Sequence, residues 1–155
     1  MIRITAVVFL SLIASVRAAD VPGLLYWSST SLQGMGAKLT PQMNAQKVAS
    51  EVMAKFATHS ITVFHREASG EAEVHETQTD VFVVQAGEAT MLLGGTVISP
   101  RTTGPGEIRG DGIQGGETRK LSAGDILHIP EGVPHQTLLD PGRKFTYVVL
   151  KVASR

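Results

Sequence analysis

The sequence predicts an all-β barrel or sandwich of short antiparallel strands, preceded by one N-terminal amphipathic helix. Three observations predict it. Short runs rich in Val, Ile, Thr and Phe recur from Ser60 to the end of the chain. Glycine-containing pairs separate them, within a total of 16 glycines and 7 prolines in 155 residues. Hydrophobic residues make up 43% and charged residues 18%, which is globular rather than disordered, and the length suits one domain.

The elements follow in chain order. Residues 1–18 read as a secretory signal peptide. Arg3 supplies the basic start, Ile4 to Ala14 the apolar stretch, and Val16-Arg17-Ala18 the small-residue end, with cleavage expected at Ala18/Ala19. The apolar run is shorter than the ~20 residues of a spanning helix. Residues 19–59 form an arm and a helix. Thr40-Pro41 looks like a helix start. Ala45, Val48, Ala49, Val52, Met53 and Phe56 then fall at spacings of three and four, one face of an amphipathic helix.

Residues 60–155 form the barrel. Strands are expected at Ile61–Arg66, Ala72–Glu76, Val81–Gln85, Ala89–Leu93, Thr96–Ile98, Arg119–Leu121, Ile126–Ile129, His135–Leu139 and Phe145–Val152. Turns are expected at Ser69-Gly70, Ala86-Gly87, Gly94-Gly95, Ala123-Gly124 and Pro141-Gly142. A two-sheet jelly roll is one closed solution for so many short strands. Ser99 to Glu117 interrupts the rhythm with six glycines and two prolines. It reads as a solvated loop containing a short hairpin, or as a lid that brings Arg101 or Arg109 to an anionic substrate.

Charge and cysteine content narrow the function. Loss of residues 1–18 removes Arg3 and Arg17 and leaves 12 basic residues against 14 acidic ones. A slightly acidic domain gives no reason to expect nucleic acid or an anionic membrane as partner. The chain has no cysteine. Any metal is therefore held by His, carboxylate, amide or water. The export signal implies a periplasmic or secreted protein.

Two motifs carry chemistry. Gly124-Asp-Ile-Leu-His-Ile-Pro130-Glu-Gly132-Val-Pro-His135 turns the chain at Gly124, runs through a strand, and turns again at Pro130 and Gly132 so that His135 opens the next strand. Upstream, Glu73-Val-His75-Glu-Thr-Gln-Thr-Asp80 is followed, after six intervening residues, by Gly87. Glu73 and His75 share one face of a strand, as do Asp80, Phe82 and Val84. The first stretch resembles the second motif of the cupin superfamily, with Leu139 where that family has Asn. The other resembles its first motif, with Glu73 in place of the first histidine and Asp80 in place of the glutamate. The resemblance covers Ile61 to Val152.

This resemblance implies a double-stranded β-helix (jelly-roll) barrel with a divalent metal held by Glu73, His75, Asp80 and His135. Two imidazoles with carboxylates suit Fe, Mn, Ni or Zn without choosing among them. Glu73 is either a ligand or a catalytic general base beside the metal. Gln78 is a substitute ligand. His128 is a strand residue off the ligand position, His65 a supporting residue near the site, and His59 a surface residue. The function implied is a metal-dependent enzyme acting on a small molecule, as dioxygenase, decarboxylase or isomerase. The alternative is a non-catalytic barrel that binds a small molecule. Open sheet edges and the resemblance together suggest a homodimer.

Overall fold

The computed structural model describes residues 21–154. The signal-peptide reading of residues 1–18, and its junction, lie outside them. The one α-helix among the described residues, α1, spans Ser29–Leu39. The Ser28 side chain caps its start by accepting the Ser31 N–H at 3.1 Å. At its end the Thr40 hydroxyl donates to the Gly36 carbonyl at 2.9 Å.

This corrects the expected helix over residues 40–56. Thr40-Pro41-Gln42 forms a 3-10 turn that ends α1 instead of starting a new helix. Asn44 Oδ1 accepts the N–H groups of Gln46 and Val48, and Lys47 turns the chain at a φ of 52°. The chain then enters strand β1 (Val48–Lys55), paired with β2 (His59–Arg66). The apolar spacing fits a helix only on paper. In the structure Ala49 is buried beside Leu39, while Val52 and Phe56 are exposed. β-Branched Val48 and Val52 suit a ladder, and β2 supplies one.

The remaining strands are β3 (Ala72–His75), β4 (Gln78–Leu93), β5 (Thr96–Ile98), β6 (Arg101–Gly104), β7 (Glu107–Gly110), β8 (Gly112–Gln114), β9 (Glu117–Ser122), β10 (Ile126–Ile129), β11 (His135–Leu138) and β12 (Phe145–Ala153). One antiparallel sheet runs β1-β2-β12-β4-β11-β3-β7-β6, with β9 and β10 also pairing to β4. β5 and β8 form a separate ribbon. The segment from 99 to 117 is thus mostly strand, with the β6–β7 hairpin inside it.

β4 organises the barrel. The expected turn at Ala86-Gly87 instead lies inside one continuous strand, beside a bulge at Gln85. Before it, β4 lies between β12 and β10; after it, between β11 and β9. A strand that changes partners this way turns the corner between two sheets. Gly87 sits at the corner with φ 80°, and a Cβ there would meet the Lys144 carbonyl oxygen at 1.9 Å. Only glycine fits.

Two apolar clusters follow from strand alternation. Phe82, Val84, Met91, Ile129, Phe145, Tyr147 and Val149 fill the barrel interior. Leu39, Ala49, Val63 and Val148 join the outer sheet face to α1. Leu39 is fully buried there, and its truncation to alanine would cost about 2–5 kcal/mol.

Candidate metal centre

Strand register gathers the polar groups. His135 at the start of β11 lies opposite Glu73 of β3, and His75 of β3 lies opposite Glu107 of β7. Asp80 of β4 lies opposite Lys151 of β12. Cross-strand partners point to the same face, so these side chains converge. His75, Asp80 and His135 are buried and Glu73 is half-buried.

One donor atom each from Glu73, His75 and His135 lie within 4.8 Å of one another. Glu73 Oε2 is 3.5 Å from His75 Nε2 and 3.9 Å from His135 Nε2. A tetrahedral cation with bonds of about 2.1 Å needs donors roughly 3.4 Å apart, so modest closure completes the set. Asp80 Oδ2 adds a fourth donor, 3.4 Å from His75 Nε2 and 3.9 Å from His135 Nε2.

The imidazoles are oriented from behind. His75 Nδ1–H donates to the Glu107 carboxylate at 2.8 Å, and His135 Nδ1–H donates to the Val133 carbonyl at 3.0 Å. Each ring therefore presents Nε2 to the centre, the arrangement by which outer carboxylates and carbonyls set metal-binding histidines. His135 Nε2 is buried and has no hydrogen-bond partner among the described residues. A buried lone pair without a donor costs free energy, and a cation would satisfy it.

The electrostatics agree. Burial lowers the His135 pKa and keeps the ring neutral, as a ligand requires. Burial opposes ionisation of Glu73, yet the His75 hydrogen bond and the Arg109 charge outweigh it and hold the carboxyl at about 2. Asp80 is likewise lowered, by His75 and Lys151 against burial. Without a cation, the Asp80 and Glu73 carboxylates overcome burial and raise His75 to about 9.

Lys151 takes part in this balance. Its Nζ lies 2.7 Å from His75 Nε2 and donates to the two Asp80 oxygens at 2.8 and 3.0 Å. An internal ammonium thus stands beside the position where a cation would sit, and Asp80 is engaged by it.

No protein-family model matches the chain, and no curated protein matches its sequence. Solved structures do match. A protein with a double-stranded β-helix domain from Klebsiella pneumoniae is 18% identical over 72% of this chain and 82% of its own, with a TM-score of 0.53. The Cnp3 cupin domain of Schizosaccharomyces pombe is 11% identical over 74% and 67%, with a TM-score of 0.51. The DMSP lyase DddQ of Ruegeria pomeroyi is 20% identical over 69% of this chain, with a TM-score of 0.50. This chain spans about half of that lyase, 47%.

The chain has the cupin fold. Within the cupin barrel, the structure brings Glu73, His75, Asp80 and His135 together at one end of the interior. Gln78 opens β4 opposite Ala153 of β12. His128 is exposed on β10, and His59 stacks on Phe56. His65 is not near the site. It points to the helix side, bonded to Thr146 and Thr40.

Sequence reading missed two residues of the candidate site. Lys151 had a signal: it continues the inward alternation of Tyr147 and Val149 along β12. Glu107 had none, because it reaches His75 only through the pairing of β7 with β3.

Proposed function

We propose that this chain binds one divalent metal ion through Glu73, His75 and His135, with Asp80 as a further oxygen donor, and acts on a small molecule held beside it. The observation that carries the proposal is the buried, partnerless Nε2 of His135 facing the Glu73 and His75 donors. Fe, Mn, Ni and Zn all suit this donor set. When bound, such an ion polarises an oxygen-bearing group of a substrate.

The chain's own groups do the rest. Glu73, held at about 2, is a carboxylate throughout the neutral range. That favours it as ligand over proton carrier, since a general base works best with a pKa near the working pH. Glu107 and Val133 fix the two rings, and Lys151 must yield its place beside His75 and Asp80 when a cation enters. Dioxygenase, decarboxylase and isomerase reactions are all open to such a site, and the similarity to a lyase adds elimination. Export follows from residues 1–18. Pairing of two chains is supported by β1, which among the described residues pairs with β2 alone and carries exposed Val52, with exposed Phe56 just past its end.

The test is zinc titration by calorimetry on the full chain after chelation, together with elemental analysis of protein from its own compartment. His75→Ala and His135→Ala should each lose binding and the associated thermal stabilisation, while exposed His128→Ala keeps both. Undiminished zinc binding in the first two variants sinks the proposal. A second reading, a metal-free binding barrel, rests on Lys151, whose ammonium already bridges His75 and Asp80.

A further inference from the structure

β11 opens at His135, beside the metal cluster, and its other end leads into a groove of about 610 Å³ that Leu138 and Leu139 help to line. That volume is in the range of small-molecule sites. Ala89, Leu121 and Leu139 are buried and give the groove an apolar floor. Its walls are bonded in place. Ser69 Oγ accepts the Leu139 N–H at 2.9 Å and donates to the Leu139 carbonyl at 3.3 Å. Asp125 accepts the Ser122 N–H at 2.8 Å and the Ser122 hydroxyl at 3.1 Å. Walls ordered beforehand lower the cost of taking up a ligand.

Four exposed charged side chains also line the groove, two of each sign: Glu88, Lys120, Asp140 and Arg143. Among the described residues none of these four forms an ion pair, whereas the exposed Arg101 and Arg119 close on Glu71 and Glu117. On the β4–β9 ladder Glu88 lies opposite Ser122 and Lys120 opposite Thr90. Glu88 and Lys120 are therefore diagonal neighbours on one face, about 7–8 Å apart. Asp140 and Arg143 close a turn after β11, where the Arg143 N–H donates to the Asp140 carbonyl at 3.1 Å. Each wall thus offers one anion and one cation.

Balanced charge gives the groove no preference for a polyanion or a polycation. We infer that it binds a short peptide with free ends, the ammonium meeting Glu88 and Asp140 and the carboxylate meeting Lys120 and Arg143. The ends of an extended dipeptide lie about 7 Å apart, which matches the diagonal from Glu88 to Lys120. The floor of alanine and leucine takes an aliphatic side chain. This site is separate from the proposed metal centre and stands without it.

The experiment titrates leucyl-leucine into the full chain and follows backbone amide shifts by NMR, which read millimolar affinities and locate the peptide. Leucyl-leucine should shift Thr90, Leu121 and Leu139 saturably. N-acetyl-leucyl-leucine and leucyl-leucine amide, each lacking one end charge, should bind at least about threefold more weakly. Glu88→Gln and Arg143→Gln should each cost leucyl-leucine a similar factor, and because both side chains are exposed the fold is retained. Glu88→Gln should cost the N-acetyl peptide little further, since that peptide has no ammonium to lose, and Arg143→Gln should cost the amide little further. A merely structural role for either residue would weaken free and capped peptides alike. No saturable shift in the groove, equal binding of free and capped peptides, or an equal cost of Glu88→Gln for both overturns the inference.

Discussion

His65 and His135 are equally buried, each 3% exposed, yet their surroundings differ in kind. His65 lies between the sheet and α1. Its Nδ1 shares a hydrogen bond of 2.8 Å with Thr146 and its Nε2 one of 3.3 Å with Thr40. Gly36 of the helix packs so close that a Cβ would meet Thr146 Oγ1 at 2.8 Å and His65 Nδ1 at 3.1 Å. His65 is a fully bonded clamp between helix and sheet. His135 has one nitrogen committed to Val133 and the other buried with nothing to bond. Burial alone therefore does not distinguish a structural histidine from a candidate ligand. The unsatisfied nitrogen does.

The contrast is broken or sharpened most strongly by exchanging the two losses. His135→Ala should weaken zinc at least about a hundredfold, beyond the range seen even for loss of supporting partners. His65→Ala should leave zinc affinity unchanged and lower folding stability by about 1–3 kcal/mol, because the buried Thr146 hydroxyl loses its partner and the link to Thr40 is cut. Calorimetry and denaturant unfolding read the two effects, and a zinc defect in the His65 variant would erase the distinction.

Lys151→Met tests the internal ammonium. Zinc affinity should rise about tenfold as the competing cation disappears, while the metal-free protein loses thermal stability because Asp80 is left buried without its partner. Unchanged or weaker zinc binding would favour the metal-free reading of the site. Glu107→Gln keeps a hydrogen-bond acceptor for His75 but removes the charge behind the ring, so zinc should weaken about tenfold. Stopped-flow chelation or calorimetry resolves a change of that size.

The smallest expected effect is in acid. Glu73 titrates at about 2 in the folded metal-free protein against 4.5 in an unfolded chain. Its contribution to stability is complete above about pH 4.5 and is lost as the pH falls toward 2. Glu73→Gln should flatten that part of the acid-unfolding curve and leave the neutral region alone. An unchanged acid limb would show that the carboxylate is not held by His75 and Arg109 as the distances indicate.

Local chemistry determined much of this protein. Alternation along Asp80, Phe82 and Val84 identified the buried face of a strand, and all three are buried. Glycine turns and short β-rich runs indicated a jelly roll, and the spacing from Gly124 to His135 indicated the histidine at the head of a strand. These are readable because period-two alternation and turn geometry depend on residues close in sequence. Tertiary structure decided the rest. Val48 to Lys55 became a strand because β2 offers an edge, which spacing within the segment cannot reveal. Ala86-Gly87 stayed inside one strand and did not turn, because β12 takes β4 up to Gly87 and β9 and β11 take it beyond. Glu107 and Lys151 reached the site through β7–β3 and β12–β4 register. Pairings between strands dozens of residues apart are set by the packing of the whole barrel, and no local pattern encodes them.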